Sequence, residues 1–382
     1  MASLASSPTK IKRRDSFSLE TKEIDRIANM DLSFIENIHV RAPPVNEEEL
    51  VAAENLKQAI MNLKQVIACD DLDLIAPVIT PANLQRILRA RKYNHSDALE
   101  LAEATVVWRI ERRPDLLRGT KDIEIECCTG KARLGPDFDR HGRPMLLLDS
   151  SAENTKDADK QILHLEWQME RIMRRMESSP NNEVEKNVVF VNLENFSIWN
   201  SPSMKNTKRT VDLFSKYFCE RMGHGICWQP PFYFSVFLRS VKPFVDPVTY
   251  GKVVIIKGPY EEGSVNDQKM TLLIGKDWRE KCQIEGKKQN KISSPGYNHE
   301  TYWPAAIAEE NEYFAAKKRI KDAALVSTED KVVPSVVVPV MDDKSDVKSQ
   351  VIDKCKLSQV EGERKMDPSI EKSACKTTGN WV

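Results

Sequence analysis

The sequence predicts an α/β protein, in which a helical N-terminal subdomain precedes a lobe built on a mostly parallel sheet. Two continuous apolar runs, at residues 188–191 and 253–256, have the composition of strands that are buried on both faces. Segments with helical spacing of apolar residues lie between the predicted strands, as in chains that alternate strand and helix. Glycine makes up only 14 of 382 residues, which disfavours propellers and glycine-rich repeats.

Three helices are predicted in the N-terminal subdomain, over residues 47–68, 80–92 and 96–113. The second begins at Thr80-Pro81, because an N-cap residue followed by proline at the first helical position is a typical helix start. Ser96 is the predicted cap of the third helix, and Pro114 stops it.

The lobe follows with four predicted strands, at residues 144–149, 187–193, 225–229 and 252–257, and three helices between them, at residues 160–176, 202–219 and 232–245. We assign residues 47–118 to the helical subdomain and 119–320 to the lobe. The polar flanks, residues 1–46 and 321–382, are expected to be a flexible and a disordered tail, because they bury too little apolar surface to offset their conformational entropy.

One arginine of the second helix follows the apolar stripe. Leu84 and Ile87 define that stripe, and Arg91 occupies its next position, whereas Arg86 and Arg89 are expected to face solvent. A guanidinium is costly to bury alone, so Arg91 requires a carboxylate, backbone carbonyls or a bound anion, or its side chain reaches water. The spacing alone leaves these possibilities open.

The predicted helix over residues 232–245 is apolar on almost its whole circumference. Such a helix is either fully buried in protein or faces an apolar partner that is not protein.

The composition excludes several classes of function. The charges balance, 57 Lys and Arg against 57 Asp and Glu, which argues against a nucleic-acid partner, and no apolar run approaches the ~18 residues of a membrane span. No phosphate loop, nucleophile elbow or zinc motif occurs, so we expect neither an enzyme nor a metal or cofactor. Eight cysteines without a CxxC pair favour a reducing compartment.

Ser16 is a candidate phosphorylation site, since Arg13 and Arg14 precede it by three and two residues, the spacing that basophilic kinases prefer. A phosphate there would weaken attraction to an anionic surface. The same short pattern also arises by chance.

Five motifs occur in an order that resembles the CRAL-TRIO lipid-binding family: LRARKY at 88–93, WR at 108–109, DRHGRP at 139–144, YFCERM at 217–222 and KPFVDPVT at 242–249. The last stretch is similar to phosphatidylinositol transfer members of the family. The resemblance implies a lobe whose sheet floors an apolar lipid pocket and whose segment 232–245 is a mobile gate helix. Its gate and pocket residues would be Phe232, Phe234, Phe237, Val241 and Phe244.

The resemblance also implies a headgroup site made of Arg91, Glu220, Thr249 and Lys252. Arginine and lysine would neutralise the phosphodiester, threonine would donate to a phosphate oxygen, and glutamate would orient the cations or accept from inositol hydroxyls. The implied function is binding of a phospholipid, phosphatidylinositol, and its transfer or presentation between membranes. We expect a cytoplasmic, monomeric protein that contacts membranes transiently and peripherally, with the bound phospholipid as ligand.

Two other functions stay open at this point. The fold also serves carriers of tocopherol, retinoid or sterol-like ligands, and it serves lipid-gated adaptors or regulators of small GTPases. Phosphatidylcholine as a second ligand is in doubt, because Asn187, Val189 and Leu146 replace the polar residues of the dual-specificity members. The segments at 229–231 and 284–286 also depart from the family pattern, which bears on the gate's hinge and on the closure of the lobe.

Overall fold

The structure is a computed structural model of the chain and describes residues 44–177, 184–197, 199 and 203–329. The chain divides into two units, Met1–Leu325 and Val326–Val382, and the elements described below lie in the first apart from the last turn of the final helix. The candidate phosphorylation site Ser16 lies outside the described residues.

Four helices open the described chain: α1 Glu47–Met61, α2 Lys64–Ile67, α3 Pro81–Ala90 and α4 His95–Arg112. The predicted first helix is therefore interrupted at residues 62–63. Thr80 caps α3 as predicted, because its side chain accepts from the Asn83 amide. The cap of α4 is Asn94 rather than Ser96, because the Asn94 side chain accepts from the amides of residues 96 and 97.

The lobe contains a five-stranded sheet, made of β1 Ala132–Leu134, β2 Met145–Asp149, β3 Asn187–Asn192, β4 Met222–Trp228 and β5 Val253–Ile256. The strand order follows the chain, and only β1 runs antiparallel to its neighbour. The mixed α/β class with a mostly parallel sheet is confirmed. Strand β1 was not predicted, because three residues that include Arg133 show no apolar run.

Eight further helices belong to the lobe: α5 Lys121–Cys127, α6 Ala158–Glu177, α7 Met204–Asp212, α8 Phe234–Val241, α9 Pro247–Gly251, α10 Val265–Leu273, α11 Trp278–Cys282 and α12 His299–Glu329. A π-helical turn, Leu213–Tyr217, extends α7, and a 3₁₀ turn, Lys242–Phe244, extends α8. The two predicted helices at these places thus begin two residues later than expected and change winding towards their ends.

Both faces of the sheet are covered, which explains the unbroken apolar composition of its strands. On one face, Phe190 and Trp228 pack with Trp278 and other apolar residues of α10 and α11. On the opposite face, Val189 packs with apolar residues of α6, and Ile255 lies in a cluster with Phe234 of α8. The second face carries the cavity described below.

Polar contacts hold the last helix, α12, against the rest of the lobe. The Trp167 indole donates a 2.8 Å hydrogen bond to Glu310, whose carboxylate also accepts from the Gly119 amide at 3.2 Å. Arg171 of α6 donates to Glu309 at 2.6 Å. None of the helices in the described ranges has the length and apolarity needed to cross a bilayer.

Candidate functional site

A cavity of about 290 Å³ lies between the sheet, α8 and the end of α3. Most of its wall is apolar, and these side chains are Val189, Val211, Phe214, Phe218, Met222, Cys227, Leu238, Val241, Val245 and Val253. A largely apolar concave site with a few polar groups is typical of a small-molecule binding site. The wall thus suits the apolar part of an amphipathic ligand.

The four predicted headgroup residues, Arg91, Glu220, Thr249 and Lys252, all line this one cavity. They come from three separate parts of the sequence: the end of α3, the turn before β4, and α9 with the residue that follows it. Glu220 has a φ of +58°, a conformation that is uncommon for a residue other than glycine. Lys252 caps the C-terminus of α9 directly before β5, so the start of that strand fixes its backbone.

Arg91 is not on the helical stripe that its sequence spacing suggested. Helix α3 ends at Ala90, and Arg91 is the C-cap residue, with a φ of −116°. Its side chain is half-buried at the cavity wall, and its Nη1 donates to the Ala90 carbonyl at 3.1 Å. The end of the helix, rather than its apolar stripe, therefore brings this guanidinium to the cavity.

The prediction that Arg86 and Arg89 face solvent is wrong. Arg86 is only 3% exposed and donates to Glu185 Oε1 at 2.7 Å, and Arg89 donates to Glu185 Oε2 at 3.2 Å. A carboxylate from the segment before β3 covers this side of α3. Burial lowers the pKa of Arg86, and the Glu185 charge opposes that shift.

Two lysines lie beside the Glu220 carboxylate. Lys252 Nζ and Lys186 Nζ are each 3.8 Å from the same oxygen, Oε2. The pKa of Lys186 is lowered, first by burial and then by the charge of Lys252. Sequence reasoning missed Lys186, and the available signal was a lysine directly before a buried strand.

The predicted gate residues face three directions. Val241 lines the cavity, whereas Phe234 and Phe237 pack around Phe196 of the loop after β3. Phe232 is 75% exposed, and Phe244 is exposed as well. Only Val241 of the five lines the cavity; the helix therefore divides its apolar circumference among the cavity, the aromatic cluster and solvent.

The three residues that depart from the dual-specificity pattern lie in three different places. Val189 lines the cavity, and Leu146 is buried in the cluster beneath it with residues of α6. Asn187 is buried, does not line the cavity, and its Nδ2 has no hydrogen-bond partner among the described residues.

An apolar cavity with cationic side chains in its wall, enclosed by an α/β lobe, suits an amphipathic ligand. Residues 131–276 match the sequence model of the family described as "CRAL/TRIO domain". This part of the chain therefore has the sequence of a CRAL/TRIO domain.

Curated relatives share this domain. A CRAL-TRIO domain-containing protein of Schizosaccharomyces pombe is 26% identical over 68% of this chain and 24% of its own length. The SEC14 cytosolic factor of Eremothecium gossypii is 28% identical over 47% of this chain and 63% of its own. Phosphatidylinositol transfer protein PDR17 of Saccharomyces cerevisiae is 25% identical over 58% of this chain and 60% of its own.

The chain therefore spans less than two thirds of each of these relatives. A solved structure, described as "Crystal structure of Sfh5", aligns with a TM-score of 0.46 and 16% identity, over 73% of this chain and 100% of that one. This likeness is too low to carry an argument.

Proposed function

We propose that this protein holds one phospholipid, phosphatidylinositol, in the cavity and transfers it or presents it between membranes. The observation that carries the proposal is that Arg91, Glu220, Thr249 and Lys252 line one largely apolar cavity, with Lys252 Nζ 3.8 Å from Glu220 Oε2. Two cations suit a phosphodiester, while a hydroxyl and a carboxylate suit phosphate oxygens and inositol hydroxyls. One of the relatives is named a phosphatidylinositol transfer protein.

The apolar wall makes transfer possible without an energy source. Moving acyl chains into water costs about 0.8 kcal/mol for each CH₂ group, so two chains together cost well over ~20 kcal/mol. Valine, leucine and phenylalanine side chains replace the bilayer interior around those chains, so the free energies of the two bound states are close. The barrier then lies in opening the cavity, and no catalytic group or cofactor is needed.

Helix α8 is the gate in this proposal, and it supplies a membrane contact. Its outer side carries Phe232, just before the first turn, and Val236, and both are largely exposed. Arg239 and Lys242 follow them, and both are exposed too. Exposed apolar side chains beside cations are suited to the interface of an anionic membrane. We therefore propose peripheral, transient binding at the cytoplasmic face of membranes, by one copy of the chain.

Mass spectrometry of the lipid that co-purifies with the chain, combined with transfer between vesicles, tests the proposal. R91A and K252A should each lose most phosphatidylinositol transfer, while an exposed lysine away from the cavity, substituted in K288Q, serves as the matched control. Near-wild-type circular dichroism will show that the variants fold. Unchanged transfer by both R91A and K252A would falsify the headgroup assignment. If only a sterol or a retinoid co-purifies with the chain, the ligand belongs to that class and is not a phospholipid.

A further inference from the structure

Lys186 does not line the cavity itself but lies directly behind Glu220, which does. The resemblance to phosphatidylinositol transfer proteins does not supply this lysine. Its side chain is only 13% exposed, and its ammonium group is 3.8 Å from Glu220 Oε2. Lys252, a predicted headgroup residue, approaches the same oxygen at 3.8 Å. Two largely buried ammonium groups therefore share one carboxylate oxygen.

This arrangement leaves positive charge under-compensated. Both distances are longer than a hydrogen bond, and within the described residues neither the Glu220 carboxylate nor the Lys186 ammonium makes one. A buried charge is stable only when it is paired and hydrogen-bonded. The lowered pKa of Lys186, caused by burial and by the Lys252 charge, agrees with an incomplete site.

Two neighbouring carboxylates among the described residues already have hydrogen-bond donors. Glu185 accepts from Arg86 and Arg89, at 2.7 and 3.2 Å. Asp246, which also lines the cavity, caps α9 by accepting from the amides of residues 248 and 249. Within the part of the chain that the structure describes, no further carboxylate is left for Lys186, and an anionic ligand would provide its partner.

We infer that Lys186 is a further headgroup residue, reached past Glu220, and that this part of the cavity takes a lipid with a phosphomonoester. The inference deepens the proposed function and rests on it, because it extends the headgroup site of the same cavity. A phosphodiester carries one negative charge, which Arg91 and Lys252 can neutralise. A phosphomonoester carries about −1.5 to −2 charges at pH 7 and presents three acceptor oxygens, so it matches an additional ammonium donor.

Two lipids provide this chemistry. Phosphatidic acid carries the phosphomonoester on glycerol, and a phosphatidylinositol monophosphate carries it on the inositol ring. The experiment presents each of them, and unphosphorylated phosphatidylinositol, in separate phosphatidylcholine vesicles to the purified full chain. Mass spectrometry then measures the lipid taken up by the protein after the vesicles are removed.

We expect the wild-type chain to take up at least one of the two phosphomonoester lipids. K186Q should lower that uptake by about tenfold, the effect of losing a hydrogen bond to a charged group, with a smaller change for phosphatidylinositol. K186R, which keeps the charge, should restore most of the uptake, and K288Q should match the wild type. The phosphomonoester lipid whose uptake falls most in K186Q identifies the position of the phosphate.

Two outcomes would overturn the inference. One is an equal loss of all three lipids in K186Q, since Lys186 would then serve the phosphodiester or the fold. The other is a wild-type chain that takes up phosphatidylinositol but neither phosphomonoester lipid. A folded wild-type chain that takes up none of the three contradicts the proposed function instead, so the two failures are distinguishable.

Discussion

The Arg86 guanidinium donates a 2.7 Å hydrogen bond to Glu185 Oε1, which joins helix α3 to the segment directly before β3. Arg86 is 3% exposed, and Glu185 also accepts from Arg89. This contact connects the helix end that carries Arg91 with the segment that carries Lys186. It therefore fixes the Arg91 side of the cavity relative to the lysine that lies behind Glu220.

Removal of Glu185 should destabilise the fold. E185A leaves the Arg86 charge buried without its carboxylate, and the loss of one partner of a buried pair costs about 3–5 kcal/mol. The free energy of unfolding from urea titration measures the effect. The double variant R86M/E185M, which removes both charges, should recover much of the stability; a single variant as stable as the wild type would show that the pair contributes little.

Filling the cavity should displace the ligand. Val253 is half-buried at the start of β5 and lines the cavity, so the indole of V253W would occupy part of its volume of about 290 Å³. We expect a severalfold lower amount of co-purified lipid, because apolar ligand surface loses its space. V265W, at an exposed valine of α10, is the matched control. A full lipid load in V253W would place the ligand elsewhere.

The aromatic cluster around Phe196 should set the rate of gate opening. Phe196 is 5% exposed and contacts Phe234 and Phe237 of α8 at centroid distances of 5.4 and 5.7 Å. F196A leaves a void and lowers the free energy of unfolding by about 3–5 kcal/mol. The loss of the ring contacts would weaken the packing of α8. Release of a fluorescent lipid should become faster, whereas F196L should remain close to the wild type. An unchanged release rate in a folded F196A chain would exclude this role.

The outer side of α8 should contribute to membrane binding. F232S/V236S removes two exposed apolar side chains and should lower binding to anionic vesicles in a sedimentation assay, by about tenfold if each buries a third of its side chain in the interface. V265S, at another exposed valine, provides the control. Equal binding of the double variant and the wild type would argue for a different contact surface.

Acid should destabilise the protein through two buried histidines. Burial and nearby cations lower the pKa of His224 to about 2 and that of His164 to about 3, from the usual 6.5, so both are neutral in the folded state. The unfolded chain binds these protons below pH 6.5. Stability from each histidine is therefore complete above pH 6.5 and falls by about 1.4 kcal/mol for each pH unit below it, towards pH 3.

Urea unfolding between pH 7 and pH 4 measures this dependence. His224 Nδ1 is 2.8 Å from Arg143 Nη1, and a neutral ring accepts from that donor. H224Q keeps an acceptor and removes the titration, so its stability should change less with pH than that of the wild type. Identical pH profiles for the two chains would show that His224 is not protonated on unfolding.

Local signals were sufficient for much of the fold. The apolar runs of β3 and β5 identify buried strands by composition alone, and Thr80-Pro81 marks the start of α3 through cap chemistry. Strand β1 is too short to show a pattern. The C-terminal helices were missed because their apolar residues serve scattered contacts, such as that of Trp278 with Trp228.

The candidate site required more than local signals. Arg91, Glu220, Thr249 and Lys252 were named from motif resemblance, and the structure brings them to one cavity. Arg86 was misplaced because its carboxylate partner lies 99 residues further along the chain. Helical periodicity describes which face a residue occupies but contains no information about a distant acid that covers that face.

The strand order of the sheet has a consequence for biosynthesis. Each strand pairs with the one that precedes it in the chain, so the sheet can grow strand by strand as the ribosome delivers the polypeptide. Helix α12 differs, because Glu310 contacts the amide of Gly119, 191 residues earlier. Stalled nascent chains that expose residues up to 298 should therefore protect the sheet from protease but leave the surface of α5 and α6 accessible until α12 emerges.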